Sequence, residues 1–163
     1  MTKTLTLHEK VEEWFINRNL HEANPVKQFQ KLMEEAGELY AGIAKGKPDL
    51  TKDALGDMQV VLIGIEQQLK NGAQIEASPQ DMVLLLASSL GSMAQKIHKH
   101  IMHNETQTPL VRPELVSLHS SIHAIAIHNL TTANDCLALA YDEIKDRKGK
   151  LIDGIWVKEE DLK

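Results

Sequence analysis

The 163-residue chain has one cysteine, Cys136. An internal disulfide and a Cys-rich zinc site are therefore excluded, and a reducing, cytoplasmic setting is expected. Aromatic residues make up only 4% of the chain, so its core must be aliphatic. No apolar run approaches the length that a membrane span needs; the longest, such as residues 60–65 and 82–87, are far too short. Residues 1–10 lack the apolar stretch of a signal peptide. Basic charge is also in short supply. Lys and Arg number 18 against 23 Asp and Glu, a net charge of -5, which argues against a nucleic-acid polymer as partner. A G-x-x-x-x-G-K loop is missing, which excludes a P-loop enzyme. No Glu is followed by His three residues later, which argues against a ferritin-like di-iron bundle.

Leu, Ile, Ala and Met at helical spacing dominate what remains. Hydrophobic residues reach 42%, enough for a folded domain. A first helix is expected over residues 8–20, through Val11, Trp14, Phe15 and Leu20. Asn24-Pro25 breaks it and opens a second, with Val26, Phe29, Leu32, Met33, Ala36, Leu39, Tyr40 and Ile43 on one face. Lys45-Gly-Lys-Pro-Asp49 ends that helix, and Asp49 or Thr51 is suited to cap the third, which runs to Lys70. Ser78-Pro79 opens a fourth, residues 104–113 read as a loop, and a fifth follows over 114–129. Thr132 and Asp135 resemble a capping box with a short acid before a sixth helix, whose apolar face includes Cys136. Asp153-Gly154 between apolar runs predicts a β-hairpin. The fold class is all-α, a helical bundle with a small C-terminal hairpin.

Projected at about 100° per residue, Gln28, Lys31, Glu35 and Glu38 form a polar strip beside the apolar face of the second helix, with Glu34 further round. The third helix, apolar on nearly every side around Met58–Ile65, is expected to be buried, with Asp57 pointing inward and Asp53 one turn before it. A short turn makes the two helices antiparallel neighbours. Glu35, Glu38, Asp53 and Asp57 should then converge. Such a cluster repels itself unless a cation resolves it, and an all-oxygen set suits Mg²⁺ or Mn²⁺. That arrangement points to metal-assisted attack of water on a phosphate ester. A solvated helix face is the plain alternative for Glu34, Glu35 and Glu38 alone.

Gln28-x-x-Lys31-x-x-Glu34-Glu35-x-x-Glu38-Leu39, the Gly-Lys-Pro-Asp turn and Asp53-x-x-Gly56-Asp57-x-x-Val60-Val61-Leu62 together resemble the MazG-like all-α nucleoside triphosphate pyrophosphatases. The tail from Ala140 to Gly149, with Asp153-Gly154 and Val157-Lys158-Glu159, resembles their phage-type members. Residues 75–130 match no part of that pattern. The resemblance implies a single domain over residues 1–163: a four-helix core in 8–72 and 131–149, an extra helical segment in 78–130 and a hairpin in 150–158. It implies hydrolysis of an NTP or dNTP to the monophosphate and pyrophosphate, with Glu35, Glu38 and Asp57 as metal ligands. The family acid three residues before Asp57 is replaced by Ala54, and Asp53 is the substitute. Glu34 corresponds to an extra acid that orients water or binds a second metal. Lys31, Lys145, Arg147 and Lys148 are candidates for the phosphates, and Trp14, Asn24 and Gln28 for the base. A homodimer or homotetramer is expected. Two other readings stay open: a non-catalytic helical module that self-associates, and a purely structural metal site. The eight histidines include six between His98 and His128, read as surface or interface residues.

Overall fold

The computed structural model describes residues 4–75, 82–103, 111–152, 155–159 and 162. The protein is all-α with a two-stranded antiparallel hairpin near its C-terminus. The Ser78-Pro79 helix start, most of the 104–113 loop and the Asp153-Gly154 turn lie outside the described residues. No described helix is long and apolar enough to cross a membrane. The chain divides into two compact units, Met1–Asp81 and Met82–Lys163.

In the first unit, α1 spans Leu7–Ile16. Thr6 starts it with a full capping box: its hydroxyl accepts the Glu9 N–H at 3.2 Å, and the Glu9 carboxylate accepts the Thr6 N–H at 2.8 Å. The helix ends short of the expected Leu20. Asn17 caps it and Asn19 turns left-handed at φ 56°, a conformation Asn tolerates better than most residues. A 3-10 turn follows at Leu20–Glu22.

Asn24 then caps α2, Pro25–Ala44, its side-chain oxygen accepting the Val26 N–H at 3.0 Å. Gly46, at φ 58°, closes α2 in a Schellman motif: the Lys47 N–H reaches Gly42 O at 2.9 Å and the Gly46 N–H reaches Ile43 O at 3.1 Å. The next helix, α3, spans Pro48–Lys70. Neither Asp49 nor Thr51 caps it. The N-cap position is Lys47, whose side chain has no acceptor, and the Thr51 hydroxyl donates back to Lys47 O at 3.0 Å.

Three elements pack on α3. Near the turn α2 approaches so closely that a Cβ on Gly42 would lie 2.8 Å from Thr51 Oγ1. Phe15 of α1, 2% exposed, sits directly on Gly64. Two α3 amides reach across: Gln67 Nε2 donates to Glu12 O at 3.2 Å and Gln68 Nε2 to Leu20 O at 2.7 Å. These bonds tie α1 and the 3-10 turn to the second half of α3. The expectation that α3 is covered all round is corrected. Ala54, Val61 and Gly64 are buried, but Leu55, Leu62 and Leu69, spaced seven apart, are exposed. The three elements that pack on α3 leave one side of it uncovered.

The second unit contains α4 (Met82–Met102), α5 (Arg112–His128) and α6 (Ala133–Ile144). It also holds β1 (Gly149–Ile152) and β2 (Ile155–Lys158), paired antiparallel with Gly149 opposite Lys158. A Cβ at Gly149 would run into Val157 O and the Trp156 ring. The α5 helix starts two residues earlier than expected, because Pro113 fits the first turn. At α6 the short acid matters. Thr132 Oγ1 accepts the Asp135 N–H at 3.0 Å, but Asp135 Oδ2 takes the Thr132 hydroxyl at 2.6 Å. Cys136, expected in packing, is exposed.

The α4–α5 pair is antiparallel and joined by polar bonds. Ser89 and Ser117 hydroxyls meet at 2.7 Å, and Glu114 Oε1 receives Ser92 Oγ at 2.8 Å and Lys96 Nζ at 2.7 Å. Lys96 first, then Ser92, holds the Glu114 carboxyl below its ordinary 4.5. A depressed carboxyl contributes stability above its unfolded pKa and loses it as pH falls through the folded value. The α4–α5 pair should therefore loosen below pH 4.5, and Glu114→Gln should remove that acid step. Acid titration of both proteins by circular dichroism checks it; identical curves would refute it.

Leu130 follows α5 at φ 58° and is 97% exposed. It occupies the left-handed position of a Schellman motif, with Thr131 N–H on Ala126 O at 3.0 Å. A leucine there is strained and packs on nothing. Leu130→Gly should stabilise the fold by about 1 kcal/mol, seen as a higher Tm.

Candidate metal and phosphate site

The acidic residues singled out in sequence lie on α2 and α3 of the first unit. Lys31, Glu34 and Glu35 share one turn of α2, because residues three and four apart are neighbours on a helix. Lys31 Nζ lies 3.0 Å from Glu34 Oε1 and 2.6 Å from Glu35 Oε1. Its pKa is driven above the ordinary 10.5, by the hydrogen bond it donates to Glu35 first and to Glu34 second. The ammonium therefore stays charged through the neutral range, and the contribution of the pairs fades only as pH rises through that raised value. Lys31 is thus engaged with two carboxylates in this structure.

Glu35 is 3% exposed. One of its oxygens takes Lys31; the other, Oε2, is buried without a hydrogen-bond partner. A buried carboxylate oxygen in that state costs free energy unless water or a cation meets it. The remaining acids behave differently. Glu34, Glu38, Asp53 and Asp57 are all exposed. Asp57 was expected to point inward but is exposed, and the buried residue of that turn is Ala54. That residue, fully buried, occupies the inward position of its turn. Among the described residues, no three Asp, Glu, His or Cys side chains gather as a set able to hold a metal ion. The donor chemistry fits a hard cation, and Glu35 Oε2 fits a ligand atom, but the four carboxylates do not close around one point.

Trp14 lines a groove of about 690 Å³ between α1 and α3, with Val11, Gly56, Val60 and Ile63. Gly56 immediately precedes Asp57, so an apolar groove borders the acidic strip of α3. The Arg18 guanidinium lies over the Trp14 ring, 4.1 Å from its centroid, and the ring meets Phe15 edge-on at 5.3 Å. Arg18 was not singled out in sequence, and its four-residue step from Trp14 is the signal that could have found it.

Asn24 and Gln28 are not brought to that groove. Asn24 caps α2 and lines a separate polar cleft with Glu22 and residues 71–74. Eleven residues at helical rise put it about 16 Å along the axis from Glu35, and partly buried Gln28 about 10 Å. In the second unit, Lys145 is paired with Asp142 at 2.9 Å. Arg147 and Lys148 line a cleft of about 700 Å³ with Glu143, Asp146, Lys158 and Glu159, where the two signs of charge alternate.

No family model matches the chain, and no solved structure matches it. A curated protein of Haemophilus phage HP1 (strain HP1c1), named an uncharacterized 18.2 kDa protein in the rep-hol intergenic region, is similar to part of it. The two are 51% identical over 63 residues, which is 38% of this chain and 39% of the phage protein. The chain thus matches about two fifths of that relative's length.

Proposed function

We propose that this protein is a Mg²⁺-dependent nucleoside triphosphate pyrophosphohydrolase of MazG-like type, with Mn²⁺ as a substitute metal. The observation that carries this reading is the buried, unpartnered Oε2 of Glu35 inside the Glu34-Glu35-x-x-Glu38 strip. The antiparallel α2–α3 pair bearing that strip and Asp53-x-x-Gly56-Asp57 supports it. In this reading Glu35, Glu38, Asp53 and Asp57 would hold the metal, which would supply positive charge against the triphosphate. Exposed Glu34 accepts a proton from water, and the Trp14 groove takes the base by stacking. The proposed setting is the cytoplasm, where triphosphates are.

The test is pyrophosphate release across all common NTPs and dNTPs, with Mg²⁺ and with Mn²⁺. At least one nucleotide should be cleaved to its monophosphate, and a blank panel would sink the hydrolase reading. The exposed, ungathered carboxylates and the engaged Lys31 favour a second reading, a helical binding module that keeps the fold without turnover. Metal binding by calorimetry together with a blank panel would support that one.

A further inference from the structure

His119 and His123 are the only two histidines of the chain that stand four residues apart. Both lie on α5, one helical turn from each other, and both are exposed. Residues at that spacing share a face, with Cβ atoms about 5–6 Å apart. The Ser117 hydroxyl meets Ser89 of α4 at 2.7 Å and so marks the side of α5 turned to α4. Measured from Ser117 at about 100° per residue, His119 and His123 fall about 200° and 240° round the helix. The pair therefore faces away from α4.

Neither imidazole has a hydrogen-bond or ion-pair partner among the described residues. His8 and His21 differ, lying 3.5 Å from Glu12 and 3.6 Å from Glu22. The one acid of α5, Glu114, is taken by Lys96 and Ser92. Ser120, next to His119, is turned back on its own helix, its hydroxyl donating to Val116 O at 3.0 Å. The two rings are left free to ligate.

The chemistry that suits two such nitrogens is narrow. Imidazole suits Cu²⁺, Ni²⁺ and Zn²⁺, whereas Mg²⁺ and Ca²⁺ take oxygen ligands. At a metal–nitrogen length of about 2.0–2.1 Å, two neighbouring ligands on one ion lie about 3 Å apart. Rings rooted about 5–6 Å apart reach that separation by tilting toward each other. Two histidines four apart on one helix are a spacing that holds a single metal ion. Among the described residues no third His, Cys, Asp or Glu joins them. The remaining positions fall to water, so the ion is exchangeable, unlike one in a closed four-ligand structural site.

We propose that His119 and His123 form a two-histidine chelate for one divalent transition-metal ion on the outer face of α5, with Cu²⁺ held most tightly. The order follows the general rise in affinity up to Cu²⁺ and its fall at Zn²⁺. The bound ion clips one turn of α5 and stabilises the helix that carries it. The site shares no residue with the carboxylates of α2 and α3 and is independent of the hydrolase reading.

Calorimetric titration of the full chain with Cu²⁺ tests it. A Cys136→Ser background removes the exposed thiol, and excess Mg²⁺ occupies oxygen ligands. One Cu²⁺ per chain should bind, with Ni²⁺ and Zn²⁺ weaker at the same place. His119→Gln and His123→Gln should each weaken binding at least about tenfold. His128→Gln should leave it unchanged, because His128 lies about 180° round from His119. The electron paramagnetic resonance spectrum of the bound Cu²⁺ should show two nitrogen ligands in the parent and one in either variant. Tm should rise with Cu²⁺ in the parent and stay fixed in the His119→Gln/His123→Gln chain. Binding of equal strength in that double variant overturns the proposal. So does a spectrum without a pair of nitrogens, or a parent chain that takes up no Cu²⁺.

Discussion

Phe15→Ala should cost the first unit about 4 kcal/mol. Among the described residues Phe15 is the largest fully buried apolar side chain, and it meets α3 at a glycine. Removing the ring leaves a void that Gly64, with no side chain, cannot fill. For a unit of this size the loss corresponds to a fall in Tm of about 20 °C. The reciprocal lesion is Gly64→Ala, whose Cβ would overlap Cε1 and Cζ of the Phe15 ring. Overpacking of that kind costs about 3 kcal/mol. The two effects are not independent. Phe15→Leu frees the space a Cβ at position 64 needs, so the Phe15→Leu/Gly64→Ala double variant should be more stable than the sum of the singles predicts. Thermal denaturation of all four proteins closes the cycle. Strict additivity would show that Phe15 and Gly64 do not share the packing described.

Glu35→Gln should lower pyrophosphate release by about 10²–10³-fold, the scale seen when one preorganised electrostatic contact is removed from an active site. The amide keeps the shape of the side chain and removes its charge. Lys31 keeps Glu34 as a partner at 3.0 Å. The Tm should therefore hold or rise, because a buried charge with one unpartnered oxygen is gone. A purely structural Glu35 would give the reverse pattern, a lower Tm and activity that falls only with the folded fraction. Activity within about tenfold of the parent would remove Glu35 from the chemistry.

Much of the helical layout was legible from spacing. The ends of α2 and α3 follow from Asn24-Pro25, Gly46 and Gly72, residues with one strong conformational use each. The early end of α1 was not legible, since Asn17 and Asn19 weaken a helix only slightly in propensity and the left-handed turn decides. The candidate site was half legible. Projection placed Lys31 and Glu35 on one strip with Glu34 further round, and Lys31 reaches both acids. It could not say that Lys31 would bond both acids, because that depends on side-chain reach rather than angle. The same limit explains Asp57. An apolar pattern all round α3 shows that every side seeks cover, but not which neighbours in the chain supply it, and the exposed Leu55, Leu62 and Leu69 show one side left uncovered.

The turn between α2 and α3 sets more than a change of direction. Gly46 fixes how α2 ends, and the bare Cα of Gly42 lets Thr51 lie against it, so the phase of one helix is locked to the phase of the other. An extra residue in 45–47 would turn α3 by about 100° and slide it about 1.5 Å. Every carboxylate of α3 would leave its place opposite α2 at once, with no residue of the strip itself altered. Chain length at this turn is therefore under tighter constraint than the identity of any single acid beside it.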